Sequence, residues 1–296
     1  MQRKTAQDFD QELLILFDAY VHGTLDRRGF LEKAQKFAVG GVTATMLLGA
    51  LSPNFAAAQQ VAPTDPRIHT ETLSFPSPNG SGTVKGYLAR PANATGALPG
   101  ILVVHENRGL NPHIEDIARR LALDNFVAFA PDALTPLGGY PGDEEKAREL
   151  FAKLDQTKTS EDFVAAAGFL KARPEVVGKI GVVGFCYGGG VAHMLSTRLP
   201  DLGAAVPFYG NQPAASAASQ VKAPLLIQFA AVDERINAAW PTYEAALKAA
   251  AVRYTAYQYP GTQHGFNNDT TPRYDAAAAK LAWERTLAFF NQNLRG

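Results

Sequence analysis

The chain has a single cysteine, Cys186, so no intramolecular disulfide can staple it. It has no net formal charge, with 28 basic and 28 acidic side chains. That balance gives no electrostatic reason to expect nucleic acid or an acidic polymer as a partner. No Gly-x-Ser-x-Gly occurs, so no serine in that setting competes as a nucleophile. No Gly-x-Gly-x-x-Gly follows a strand pattern, which argues against a nucleotide cofactor. No paired Cys/His cluster has zinc spacing, and the pairs His105/Glu106 and His113/Glu115 are too sparse to propose a metal site. No cofactor and no metal are therefore expected. Nor is any apolar run long enough for a stable membrane span of about 20 residues. What remains is a chain of 296 residues, 46% hydrophobic and 19% charged, able to bury a sizeable core.

The first sixty residues are distinct from the rest. Arg27-Arg28-Gly29-Phe30-Leu31 is followed by an apolar, Gly/Ala/Thr-rich stretch over 37–51 and then by Ala56-Ala57-Ala58. A basic region, an apolar region and a small-residue site in that order form a secretory signal. The arginine pair with Phe30 and Leu31 resembles the twin-arginine type. Residues 1–58 are thus expected to be a signal peptide handled by the twin-arginine export machinery, with the mature chain beginning near Gln59 in the periplasm or otherwise outside the cell. Asp26 stands where Ser or Thr is usual, and an amphipathic stretch over 9–21 precedes the pair. The alternatives are an amphipathic helix packed on the domain and a membrane anchor. Residues 59–69, polar and proline-containing, are expected to be a linker.

From residue 70 to 296, short apolar runs alternate with helical patterns. Strands are expected near 71–75, 84–90, 101–105, 126–130, 180–184, 204–209, 225–230 and 254–259. Helices are expected over 114–123, 144–154, 160–172, 189–197, 239–250 and 275–293. Continuously apolar runs such as Ile101-Leu102-Val103-Val104 mark parallel strands buried on both faces. The alternation predicts an α/β fold with a mainly parallel sheet of about eight strands and helices on both faces. The first two strands, with no helix between them, are expected to pair as an antiparallel edge hairpin.

A lone cysteine is more often inert and buried than catalytic. Cys186 is set apart by its surroundings, Gly184-Phe185-Cys186-Tyr187-Gly188-Gly189 between a buried strand and a helix. This is the nucleophile-elbow pattern with cysteine in the serine position. A sharp strand-to-helix turn needs small residues on either side of the nucleophile. The helix N-terminus that follows favours a thiolate. The bland alternative is a glycine-rich turn that binds a phosphate or simply packs tightly.

On such a fold the acid and then the histidine follow the nucleophile along the chain. Of six histidines only His193 and His264 lie beyond Cys186. His193 is seven positions into the following helix, two turns away, and is read as a helix-surface or core residue. That leaves His264, in Gly261-Thr262-Gln263-His264-Gly265-Phe266, as the base. Asp233, directly after a buried run, is the acid, whereas Asp201 follows Pro200 in a surface turn.

Together these residues resemble the dienelactone hydrolase (carboxymethylenebutenolidase) family of the α/β-hydrolase superfamily, over roughly 70–294. The resemblance implies hydrolysis of an ester or lactone through a Cys186-Asp233-His264 triad and a thioester acyl-enzyme. It implies that Glu106, in Val103-Val104-His105-Glu106-Asn107-Arg108, helps convert the thiol to thiolate; the alternative is a helix cap, for which Asn111-Pro112 competes. The backbone N–H groups of Tyr187 and Asn107 are expected to form the oxyanion hole. Arg108, Tyr140, Tyr209 and Phe266 are candidates for contacting the small-molecule substrate. Family members acting on dienelactone hold its carboxylate with an arginine shortly after the histidine; here none follows His264 until Arg273, and Arg235 is another possible substitute. The rival readings are a non-catalytic binding protein on the same fold, or a hydrolase of another acyl class.

Overall fold

The computed structural model describes residues 4–295. Its frame is one eight-stranded sheet in the order β1-β2-β4-β3-β5-β6-β7-β8. The strands are β1 (Ile68–Ser77), β2 (Gly82–Pro91), β3 (Gly100–Val104), β4 (Val127–Pro131), β5 (Gly181–Phe185), β6 (Ala204–Phe208), β7 (Leu225–Val232) and β8 (Tyr254–Gln263). As expected, β1 and β2 pair antiparallel at the edge; β2 also meets β4 antiparallel, and the remaining pairs are parallel.

All five residues of each of β3, β4, β5 and β6 are buried, because helices cover both faces. Side chains along a strand alternate between faces, and β3 shows the division. Ile101 and Val103 join Ile117 and Leu121 of α5 (Pro112–Leu123) and Phe290 of α11 (Ala276–Leu294). Leu102 and Val104 join Phe163 and Leu170 of α7 (Gln156–Lys171), Leu195 of α8 (Tyr187–Arg198) and Leu247 of α10 (Trp240–Ala249). Helix starts follow sequence chemistry: Asn111 caps α5 by accepting from the Ile114 N–H, with Pro112 at the first turn, and Asp155 and Asp275 cap α7 and α11. A shorter helix, α6 (Glu144–Phe151), brings Phe151 edge-on to Tyr187 at the start of α8, with centroids 4.7 Å apart.

The N-terminal region contains four helices, α1 (Gln11–Val21), α2 (Arg27–Ala34), α3 (Ala44–Leu51) and α4 (Phe55–Ala58). They enclose a small core of their own: Leu13, Leu14, Phe17 and Tyr20 of α1, Phe30 and Ala34 of α2, and Leu47, Leu48 and Leu51 of α3. The amphipathic pattern over 9–21 is α1, and its apolar stripe faces α2 and α3. The segment expected to be a linker is fastened at its start. The buried carboxylate of Asp116 accepts from the N–H groups of Gln60 and Val61, and Arg119 Nε donates to the Val61 carbonyl. No helix among the described residues is long and apolar enough to cross a membrane.

Candidate active site

Cys186 stands at the junction of β5 and α8 with φ 55° and ψ −111°. A non-glycine residue held there is strained and persists only where neighbouring structure over-determines it. Two glycines make the turn possible. A Cβ on Gly184 would lie 1.9 Å from the Gly188 carbonyl oxygen, and one on Gly188 would lie 2.3 Å from that of Val104. The turn is pinned by the Cys186 N–H donating to the Phe208 carbonyl at 3.0 Å, while the Cys186 carbonyl accepts from Gly189 and Gly190. The spacing of the motif is thus dictated by backbone crowding.

The loop after β8 carries His264 to the same place, and Asp233 directly follows β7, just before the short helix α9 (Glu234–Asn237). His264 Nδ1–H donates to Asp233 Oδ2 at 2.5 Å, with both side chains buried. The carboxylate therefore sets the imidazole tautomer and leaves Nε2 as the nitrogen that can serve Cys186. The ring packs against Tyr209, with centroids 5.0 Å apart.

Burial alone would raise the pKa of the Cys186 thiol. The charges of His264 and His22, and the hydrogen bond between His22 and the sulfur, outweigh it and bring the thiol down to about 6. His264 moves the opposite way: burial disfavours its charged form, but the Cys186 thiolate and the Asp233 carboxylate more than compensate. A lowered thiol pKa means the thiolate persists to lower pH and is lost as pH falls through the shifted value. Iodoacetamide labelling of Cys186 should therefore hold its rate within about twofold from pH 8 down to about pH 6, whereas an ordinary thiol near 8.5 would lose roughly seventyfold over the same range. A labelling profile with its midpoint above pH 8 would refute the ion pair.

The other anticipated residues take varied places. Glu106 follows β3, and its Oε2 accepts from Asn268 Nδ2 at 2.8 Å; the cap of α5 is Asn111 instead. Tyr187 is the first residue of α8, where a backbone N–H has no intrahelical acceptor, and Asn107 lies in the loop after β3. Arg108 is buried, bonded to Asn107 Oδ1 at 2.8 Å and 3.9 Å from Glu144, which also accepts from the Tyr140 hydroxyl at 2.8 Å. Tyr209, at φ 37°, lies beside His264 with its hydroxyl buried and unpartnered. Phe266 is fully buried against Tyr209 and Tyr259, so it braces the His264 loop from within the core. His193 is a core residue, edge-on to Tyr243, and burial holds its pKa down to about 3.

One residue at the site was eliminated by chain order. His22, just after α1, places Nε2 at 3.3 Å from Cys186 Sγ. A ring nitrogen of His22, a ring nitrogen of His264 and the sulfur lie within 4.8 Å of one another. Nitrogen and thiolate donors of this kind suit a zinc-like ion. However, Arg235 Nη2 lies 3.1 Å from the same His22 Nε2, so a fixed cation already faces that nitrogen.

The model of the Dienelactone hydrolase family matches residues 84–294. The chain belongs to the dienelactone hydrolase family. A relative named "Putative carboxymethylenebutenolidase" from Escherichia coli O157:H7 is 33% identical over 230 residues, 73% of this chain and 84% of that protein. The "Putative hydrolase fragment YghX" of Escherichia coli K12 is 53% identical over 116 residues, 39% of this chain and 99% of the fragment. The crystal structure of a "Putative Dienelactone Hydrolase" from Klebsiella pneumoniae superposes with a TM-score of 0.68 at 29% identity, covering 76% of this chain and 99% of that one. A second family model, described as YqhI-like, matches residues 1–39. In this dienelactone hydrolase family member, a segment similar to that second model thus precedes the hydrolase sheet.

Proposed function

We propose that the protein hydrolyses an ester or lactone through Cys186, His264 and Asp233. The observation that carries this reading is the strained cysteine at the elbow, set within one buried cluster with a histidine whose far nitrogen is held by a carboxylate. The Cys186 thiolate attacks the carbonyl carbon, and the oxygen becomes an oxyanion between the N–H groups of Tyr187 and Asn107. The tetrahedral intermediate collapses to a thioester as His264 gives its proton to the departing alkoxide. His264 then takes a proton from water, hydroxide attacks the thioester, and the adduct expels the thiolate to give the carboxylic acid, which loses its proton to solvent and leaves as carboxylate. By family resemblance Glu106 assists thiolate formation when substrate enters. Arg108, which lines a cavity with Glu106 and Asn107, and Tyr140, bonded to the same Glu144 that faces Arg108, would contact the substrate.

The test is turnover of a panel of activated aryl esters and enol-lactones before and after complete alkylation of Cys186. Turnover that is lost on alkylation supports the reading. Turnover that survives removes the nucleophile, and an absence of turnover across the panel favours a binding protein on this fold.

We also propose that residues 1–58 serve as a twin-arginine export leader. Arg27 and Arg28 open α2 on the exposed surface, where export machinery could reach them. Replacing both with lysine is expected to move the protein from the periplasmic to the cytoplasmic fraction. Unchanged fractionation, or an intact N-terminus on the protein recovered outside the cytoplasm, would count against a cleaved leader.

A further inference from the structure

Around Cys186, the polar groups that face away from the triad are met by one short stretch of the same chain. The Val21 carbonyl accepts from Asn107 Nδ2 at 2.9 Å and from Arg108 Nη1 and Nη2 at 3.3 Å each. The Asp18 carboxylate pairs with Arg273 Nη1 at 2.9 Å. His22 Nδ1–H donates to the Asp18 carbonyl at 2.8 Å, which turns Nε2 toward both Cys186 and Arg235. The His22 ring sits edge-on to that of His264, with centroids 4.8 Å apart. Three arginines of the cleft and the nucleophile itself thus face a carboxylate, a carbonyl and an imidazole from five consecutive residues.

This contact is built rather than incidental. Burial would raise the pKa of Asp18, but the hydrogen bond from His22 and the charges of His264 and Arg273 hold it well below the usual carboxylate range. Arg273 lies over the Phe17 ring at 5.2 Å and Arg148 over the Tyr20 ring at 5.2 Å. The Tyr20 hydroxyl bonds Glu145. Behind α1, Phe30, Leu47 and Leu51 supply a core that holds the helix as a preformed unit. Cavities of about 630 Å³ and about 270 Å³ open on either side of α1, and Cys186 lines neither of them. His22 stands over the sulfur between the two.

We infer that residues 10–22, carried on the α1–α3 unit, are an internal occupant of the active-site cleft, so that substrate reaches Cys186 only after this cap is displaced or removed. A tethered segment competes at an effective concentration on the order of millimolar without any second molecule. The inference rests on the hydrolase reading only for what the cap blocks. If a leader is cut after Ala58, the same cleavage uncovers the site.

The experiment uses the full chain with a protease recognition sequence placed in the exposed loop over residues 38–43. Alkylation of Cys186 by iodoacetamide at pH 8 is followed by intact mass, with aryl-ester turnover measured in parallel. Cutting and removing the freed N-terminal piece is expected to speed alkylation about tenfold or more, and a peptide of residues 4–40 added back should slow it again. The uncut chain carrying Asp18→Ala, with His22 kept so that the thiol retains its histidine partner, should also be labelled faster; it needs no cleavage and so stays informative if the cut protein precipitates. Equal alkylation rates in the uncut, cut and substituted chains would overturn the cap. Because alkylation needs no substrate, faster labelling without ester turnover leaves the cap standing and removes the hydrolase reading. Ester turnover with no change in labelling or rate does the reverse.

Discussion

Cys186→Ala is expected to lose ester or lactone turnover by about 10⁴-fold or more, with the fold and its thermal unfolding unchanged. The magnitude follows from the proposed chemistry: without sulfur no covalent intermediate forms, and what remains is water attack assisted by the oxyanion donors. The fold should hold because alanine adopts the same strained backbone at φ 55°, and what is lost is confined to the sulfur's contacts with His22 and His264. Cys186→Ser should recover little. The neighbouring histidine charges pull a thiol pKa into the neutral range, but a hydroxyl starts far too high for the same interactions to ionise it. Comparable turnover in wild type and Cys186→Ala, measured on purified protein of matched melting temperature, would end the nucleophile assignment.

Asp233→Asn should cost about 10²–10⁴-fold in turnover with much less change in KM. The carboxylate accepts from His264 Nδ1 at 2.5 Å in a buried setting. An amide there is neutral, so it no longer stabilises the imidazolium, and its NH₂ can turn the ring to the wrong tautomer. His264→Ala should fall by a similar factor. The double substitution should be little worse than either alone, because the two residues act as a unit. Additive losses would mean that Asp233 and His264 serve separate purposes. The cysteine labelling profile gives a second readout: with Asp233→Asn its midpoint should rise, since His264 is then less readily charged.

Much of the frame was legible locally. Each of the eight strands lies within a few residues of an apolar run, and each helix over 112–294 of eight or more residues lies on a 3.6-residue pattern. The antiparallel β1–β2 edge followed from the missing helix between them. Strand ends were less legible: β8 runs on to Gln263, beyond the apolar run, because its later residues still pair with β7 across a bulge. Asn111 as a cap was readable from the Asn-Pro pair. Phe266, beside the histidine in sequence, is in the core, because the turn at Gly265 (φ 82°) sends its ring inward.

The cysteine at the elbow, the carboxylate and histidine that follow it in order, and the parallel α/β frame were determined by the sequence alone, since each depends on short-range periodicity, crowding at a turn, or chain order within a known arrangement. What covers the site was decided only by tertiary structure. The amphipathic stretch over 9–21 was visible as a helix, but nothing local says which surface it meets. His22 reaches Cys186 across 164 positions, and Asp18 reaches Arg273 across 255. Such pairings depend on how a preformed helical unit fits a cleft assembled from distant loops. Their physical cause is complementarity of shape and charge between two folded surfaces, and no window of sequence contains both.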